Sequence, residues 1–98
     1  MDVDEIVLAL SALAKRTRLQ AFRLLVANEP HGIVAKDLGK LMGIRKHAAS
    51  SHLATLAKAG LVHGARQEGT MIYRANLVFY DELTRYLAVD IRGGPPPG

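Results

Sequence analysis

The stretch Asp37–Leu61 reads DLGKLMGIRKHAASSHLATLAKAGL and predicts two short helices joined by a sharp turn. In its first half, Leu38 and Leu41 have the spacing of one face of a helix. Gly43 follows where a helix commonly ends in a left-handed residue. A second helix is expected to begin near Lys46. This pattern is typical of a helix-turn-helix.

The second helix of this stretch has an apolar side and a small, polar side. Its inward positions, spaced for one helical face, are Ala49, Leu53 and Leu56. The opposite side carries Lys46, His47, Ser50, Ser51 and Ala54. Small side chains let a helix approach base edges, and Lys, His and Ser can meet base acceptors and phosphates. This outer face predicts a helix that reads the major groove of double-stranded DNA, called the reading helix below.

Positive charge is concentrated around the helix-turn-helix. The chain has 13 Lys and Arg against 9 Asp and Glu, a net charge of +4. Residues 36–74 hold seven of the basic residues and only two acids, so the remainder is close to neutral. A basic domain centred on the reading helix is expected of a protein that binds a polyanion. A solvated basic surface is the alternative that charge alone leaves open.

Length and composition predict one small domain. Ninety-eight residues, 49% of them hydrophobic, suffice for a modest core that dimerisation would enlarge. The absence of Cys excludes a disulfide scaffold, a thiolate metal site and thiol redox chemistry. No stretch approaches the roughly 20 apolar residues of a membrane helix, and the acidic start is unlike a secretory leader. We therefore expect a cytoplasmic protein without membrane contact.

Two helices are expected before the helix-turn-helix. Asp2 or Asp4 can cap the first one, and Thr17 is a plausible N-cap for the second. The last eight residues are rich in Gly and Pro, which neither hold a helix nor bury surface. We therefore expect a domain of residues 1–90 and a disordered tail of residues 91–98.

A β-hairpin and a last helix are expected after the helix-turn-helix. Segments 61–66 and 70–75 contain Val, Ile, Thr and Tyr and are separated by Gln-Glu-Gly. A final amphipathic helix is expected over residues 78–90. These elements predict a mainly α fold with a small β-hairpin wing, a winged helix-turn-helix of five helices.

Several short motifs between Ala12 and Leu87 carry a family resemblance. They are LAKRTRL at 13–19 (usually LADPTRL), DL at 37–38, SSHLATL at 50–56, AGLV at 59–62, RQEG at 66–69 and YRAN at 73–76. With these motifs the chain resembles the ArsR/SmtB winged-helix regulators. The resemblance implies a homodimeric transcriptional repressor that leaves DNA when an effector binds, with its terminal helices forming the dimer interface. The effector stays open, and a small organic molecule is one candidate.

The metal ligands of that family are missing from this sequence. Members that sense arsenic, cadmium or lead have paired thiolates where this chain has Val34 and Lys36. Members that bind zinc between the last helices need Asp and His there, and residues 78–90 contain no His. We therefore expect no metal site and no cofactor, although the scattered His residues leave a site elsewhere open.

Two sets of residues are predicted to carry the function. Residues expected to read the major groove are Lys46, His47, Ser50 and Ser51. Residues expected to hold the DNA backbone or minor groove are Lys36, Arg45, Arg66 and Thr70. The apolar residues of the terminal helices that are expected to line a two-fold dimer interface are Ile6, Leu10, Leu13, Leu83, Tyr86 and Leu87.

Two other function classes fit the sequence less well than DNA binding. A winged helix for protein interaction or RNA binding would normally present apolar residues on the outer face, where this helix has polar ones. His47 and Ser51 have the i, i+4 spacing of a catalytic pair, but no acid is placed to orient the imidazole. No enzyme is therefore expected. His52, at the edge of the inward stripe, is more typical of a packed histidine than of a base contact.

Overall fold

The structure is a computed structural model that describes residues 1–93. The elements follow in the order α1 (Val3–Leu13), α2 (Arg16–Ala27), β1 (Ile33–Val34), α3 (Ala35–Met42), α4 (Lys46–Lys58), β2 (Val62–Gln67), β3 (Thr70–Ala75) and α5 (Leu77–Ala88). A one-turn 3₁₀ helix, Asp90–Arg92, follows α5. Residues 91 and 92 of the expected tail therefore belong to a helical turn, and residues 94–98 lie outside the described part of the chain.

One core holds the reading helix α4 in place. The largest fully buried side chains are Leu25, Leu38, Leu53, Leu56, Leu61 and Leu83. The three inward residues predicted for α4, Ala49, Leu53 and Leu56, are completely buried. Burying a Leu side chain stabilises a fold by roughly 1.5–3 kcal/mol. The apolar stripe of α4 therefore fixes which of its faces is left outside.

The turn between α3 and α4 has the predicted geometry. Gly43 caps the end of α3 with a left-handed φ of +69°. One turn earlier, Gly39 lies so close to the start of α4 that a Cβ there would be 2.8 Å from the carbonyl oxygen of Ile44. This close approach explains a glycine inside a helix, where it costs about 1 kcal/mol against Ala.

The helix starts are only partly as expected. Of the two candidates for α1, Asp2 is the N-cap and accepts from the Glu5 N–H at 2.8 Å. The expectation that Thr17 caps α2 is wrong, because α2 begins at Arg16 and Lys15 occupies the N-cap without a side-chain hydrogen bond. Thr17 lies in the first turn, with its hydroxyl buried and without a hydrogen-bond partner.

The sheet contains one strand that the sequence pattern does not predict. Strand β1 pairs antiparallel with β3 through Ile33 opposite Tyr73 and Val34 opposite Ile72. Strands β2 and β3 form the expected hairpin, which is the wing. Because β1 runs directly into α3, the sheet ties the wing to the helix-turn-helix.

Candidate nucleic-acid interface

The reading helix exposes the face that its sequence predicts. Lys46, His47 and Ser51 are exposed, and Ser50 is half-buried. Successive residues turn by about 100° around a helix, so residues four apart lie nearly above one another. Lys46 and Ser50 therefore form one row, and His47 and Ser51 form the next row further from the wing.

A cleft of about 400 Å³ lies between the wing and the helix-turn-helix and is called the wing cleft. Among the residues that line it are Lys36 of α3, Lys46 and Ser50 of α4, and Arg66 and Thr70 of the wing. Five of the eight predicted DNA-binding residues thus meet on one surface. Three of them are cations, which attract phosphate groups.

The other three predicted residues lie outside the wing cleft. Arg45, His47 and Ser51 are all exposed on or beside α4. Arg45 is the N-cap residue of α4, and its side chain makes no capping hydrogen bond. The start of α4 therefore adds a cation next to the outer face of the reading helix.

Met71 and Tyr73 also line the wing cleft, although they were not among the residues predicted to bind DNA. Met71 and Tyr73 lie two apart on β3, so both point to the cleft side of the strand. They pack over Gly64 of β2, where a Cβ would lie 2.8 Å from the Met71 sulfur. Their period-two spacing in the hairpin is the signal that identifies them as neighbours.

His52 occupies the opposite flank of the reading helix and is half-buried. Burial lowers the pKa of its imidazole below 6.5, and the positive charges of Lys15 and Arg18 lower it further. The Arg18 guanidinium donates to the carbonyl oxygens of Ala12 at 2.7 Å and Ser11 at 3.3 Å. His52 thus packs beside the α1–α2 junction, as expected for a histidine that does not read bases.

The residues predicted for the dimer interface divide into two groups. Ile6 is 4% exposed and Leu83 is 1% exposed, so both belong to the core of a single chain and offer almost no surface to a partner. Their assignment to the interface is therefore corrected. Leu10 and Leu87 are each 39% exposed. Leu13 and Tyr86 are half-buried at the edge of the core.

Exposed apolar side chains extend beyond this set. Val3 and Val7 lie on the same face of α1 as Leu10 and are exposed by more than half. Beside them, α1, α2 and α5 enclose an apolar groove of about 530 Å³. Its floor includes Phe22 and Tyr80, whose ring centres are 5.4 Å apart. Contiguous apolar surface of this kind is typical of an interaction site.

The positions of the family metal ligands hold residues that do not suit a soft metal. Val34 belongs to β1 and pairs with Ile72, and Lys36 carries an exposed cation at the start of α3. Within residues 1–93, no three His, Asp or Glu side chains are grouped so that they could hold a metal ion. None of the helices described for these residues is long and apolar enough to cross a membrane.

A comparison with protein-family models matches residues 15–70, more than half of the chain, to the MarR family. The chain belongs to the MarR family. The matched part of this MarR-family chain runs from the N-cap of α2 to the first residue of β3. No curated protein matches it in a sequence comparison.

Solved structures of ArsR-like regulators share the fold of this MarR-family chain. The ArsR-like transcriptional regulator from Rhodococcus sp. RHA1 superposes with a TM-score of 0.77 at 23% identity, covering 91% of this chain and 81% of that one. The homodimeric winged helix-turn-helix DNA-binding domain of a possible ArsR-family regulator from Mycobacterium bovis superposes with a TM-score of 0.73 at 23% identity, covering 93% of this chain and 82% of that one. The antimony-specific transcriptional repressor AntR superposes with a TM-score of 0.67 at 26% identity, covering 91% of this chain and 79% of that one.

These comparisons confirm the predicted fold class and refine the predicted family. The fold is that of winged helix transcriptional regulators. The motifs resemble ArsR/SmtB proteins, whereas the family model that matches is that of the MarR family. This MarR-family chain therefore shares the fold of ArsR-like proteins, and short motifs of its sequence resemble theirs.

Proposed function

We propose that the chain is a homodimeric transcriptional repressor that binds an inverted-repeat operator in double-stranded DNA. The wing cleft carries this proposal, because it brings Lys36, Lys46 and Arg66 onto one basic surface beside the reading helix. The polar outer face with His47 and Ser51 suits base edges better than an apolar protein partner. The chain needs no cofactor for this function and is expected to act in the cytoplasm.

The two kinds of DNA contact fall to different residues in this proposal. The reading helix places four side chains in the major groove, Lys46, His47, Ser50 and Ser51. The backbone or minor groove is held by Lys36, Arg45, Arg66 and Thr70. Phosphate contacts set the position of a protein on DNA, and base contacts supply the sequence preference.

The dimer brings two reading helices to one operator. Its support is the exposed apolar surface of Val3, Val7 and Leu10 together with the neighbouring apolar groove. The related domain from Mycobacterium bovis is homodimeric. A two-fold dimer on an inverted repeat places its reading helices about 34–36 Å apart, one turn of DNA.

Selection of bound sequences from random duplex DNA tests the proposal, and an inverted repeat is the expected result.

Arg66→Ala should weaken binding to every sequence and reduce the slope of log K against log salt by about 1 for each protomer. His47→Ala should cost about 1–3 kcal/mol on the selected site alone. Arg92→Ala, in the turn after α5, is the control. Equal losses from His47→Ala on selected and random duplexes would contradict the assignment of His47.

Regulation by the metals that ArsR/SmtB proteins sense is not part of this proposed function. Val34 and Lys36 supply no thiolate, and carboxylates alone are poor ligands for a closed soft-metal site. An organic molecule remains a candidate effector. Neither arsenite nor zinc at micromolar levels should release the protein from its operator in a fluorescence-anisotropy titration. A reversible, stoichiometric release by either metal would contradict this part of the proposal.

A further inference from the structure

The junction between α1 and α2 lies against the reading helix on the side away from the wing. Both helices pack on α4. Around α4, Ser50 faces the wing cleft, and His52 lies about 200° further round the helix. The charges of Lys15 and Arg18 act on this His52 flank. Residues 12–18, called the corner below, therefore stand beside the reading helix opposite the wing.

The corner presents cations with no neighbouring acid on its own helix. Lys15 is the N-cap of α2 and Arg16 its first residue, both exposed, and the first turn contains no Asp or Glu. Arg18 is used differently, because its guanidinium holds carbonyl oxygens at the end of α1. Arg18 therefore fixes the shape of the corner, while Lys15 and Arg16 extend from it.

We propose that Lys15 and Arg16 bind the phosphate backbone of the operator on the side of the reading helix opposite the wing. This inference rests on the proposed function, because it requires α4 to lie in the major groove. That groove is about 12 Å wide, so a sugar-phosphate strand flanks an inserted helix on each side. Arg66 and Thr70 of the wing contact one DNA strand, and the corner contacts the other.

The positive charge of the corner, and its position next to the proposed DNA-binding surface, favour DNA as its partner. The two exposed cations lie next to the basic reading unit, and DNA supplies a regular row of anions on that side. Contacts on both flanks oppose rotation of the protein about the axis of α4. The corner is therefore a positioning element that contributes equally on every DNA sequence.

The salt dependence of DNA binding counts the phosphate contacts and provides the test. A dimer of the double variant Lys15→Gln, Arg16→Gln loses up to four contacts, so its slope of log K against log salt should fall by about 3 to 4 on selected and random duplexes alike. Lys15→Arg should keep the slope of the unmodified protein. Arg92→Gln is the matched control, because it removes one exposed cation from the turn after α5, outside the corner.

Phosphate ethylation interference on the selected operator locates the contacts. The double variant should lose the sensitive phosphates on the flank opposite the wing and keep those that Arg66→Ala removes. Circular dichroism should show unchanged folding, because both substituted side chains are exposed. If the unmodified protein selects an operator and the double variant has the same slope and interference pattern, the role of the corner is refuted while the proposed function stands. If the unmodified protein selects no DNA sequence, both are refuted.

Discussion

Gly39 shows how one missing side chain sets the approach of two helices. A Cβ at this position would lie 2.8 Å from the Ile44 carbonyl oxygen, which is backbone and cannot rotate away. Gly39→Ala should therefore lower the free energy of unfolding by about 1–3 kcal/mol, although Ala is the better helix former by about 1 kcal/mol. Urea unfolding measures the change. Lys40→Ala, exposed on the same helix, should stay within about 0.5 kcal/mol. A Gly39→Ala variant as stable as the unmodified protein would refute the clash.

His52 should make the stability of the protein depend on pH. Its pKa is lowered by burial and by Lys15 and Arg18, so the unfolded chain binds this proton more readily than the folded one. The free energy of unfolding is therefore unaffected well above pH 6.5 and decreases as the pH falls below it. An NMR titration of the imidazole should give a midpoint below 6.5, and Lys15→Gln should raise that midpoint. A midpoint at or above 6.5 would contradict the packing of His52 against the corner.

Thr17 illustrates what residue preferences leave out. Threonine is a good N-cap, and its position before an apolar helical stripe predicted a helix start there. In the structure the N-cap lies two residues earlier, at Lys15, and Arg16 is the first residue of α2. Arg18 holds the carbonyl oxygens of Ala12 and Ser11, a contact between helices that no local preference encodes.

The wing turn can be improved by one substitution. Glu68 and Gly69 form its two-residue loop with φ values of +52° and +80°, as in a type I′ turn. A left-handed conformation costs roughly 1 kcal/mol for most residues and less for Asn. Glu68→Asn should recover part of this cost and raise the melting temperature by a few degrees, less than the roughly 4–8 °C that 1 kcal/mol corresponds to. Glu68→Gln is the control that removes the charge and keeps the strained backbone. Equal melting temperatures of the two variants would rule out strain as the cause.

Elements with a local signal were predictable, and those made by distant pairing were not. The reading helix follows from its apolar spacing and from Gly43, both readable within a few residues. Strand β1 is only Ile33 and Val34, and it exists because these residues pair with Tyr73 and Ile72 far along the chain. The cations that line the wing cleft were named from the sequence, whereas the cleft itself and its residues Met71 and Tyr73 became recognisable only in the folded chain.

The dimer should depend on the exposed part of the terminal helices. Leu10→Glu and Leu87→Glu each place a charge on the apolar surface, so they should give folded monomers with much weaker operator binding. Leu83→Glu is the contrasting variant, because its side chain is 1% exposed and the substitution should unfold the chain itself. Light scattering and circular dichroism distinguish the two outcomes. An unmodified protein that is monomeric at micromolar concentration would contradict the dimer.

Helical spacing alone could not separate the core of the chain from its outer apolar surface. Leu83 and Leu87 are four residues apart on α5, and both belong to one apolar stripe. Packing against the rest of the chain buries Leu83 and leaves Leu87 partly outside. The same division separates Ile6 from Leu10 on α1, so the predicted interface contained two residues of the monomer core.

The strand pairing between β1 and β3 has a mechanical consequence for the proposed dimer. Val34 ends the strand and Ala35 begins α3, so no flexible residue separates the sheet from the reading unit. We therefore expect the wing and α4 to move together, in a chain whose longest dimension is 44 Å. A small rotation of the two protomers about their contact would be amplified over this length and would displace the reading helices by several ångströms. Control of DNA binding would thus change the separation between protomers and leave the shape of each reading unit intact.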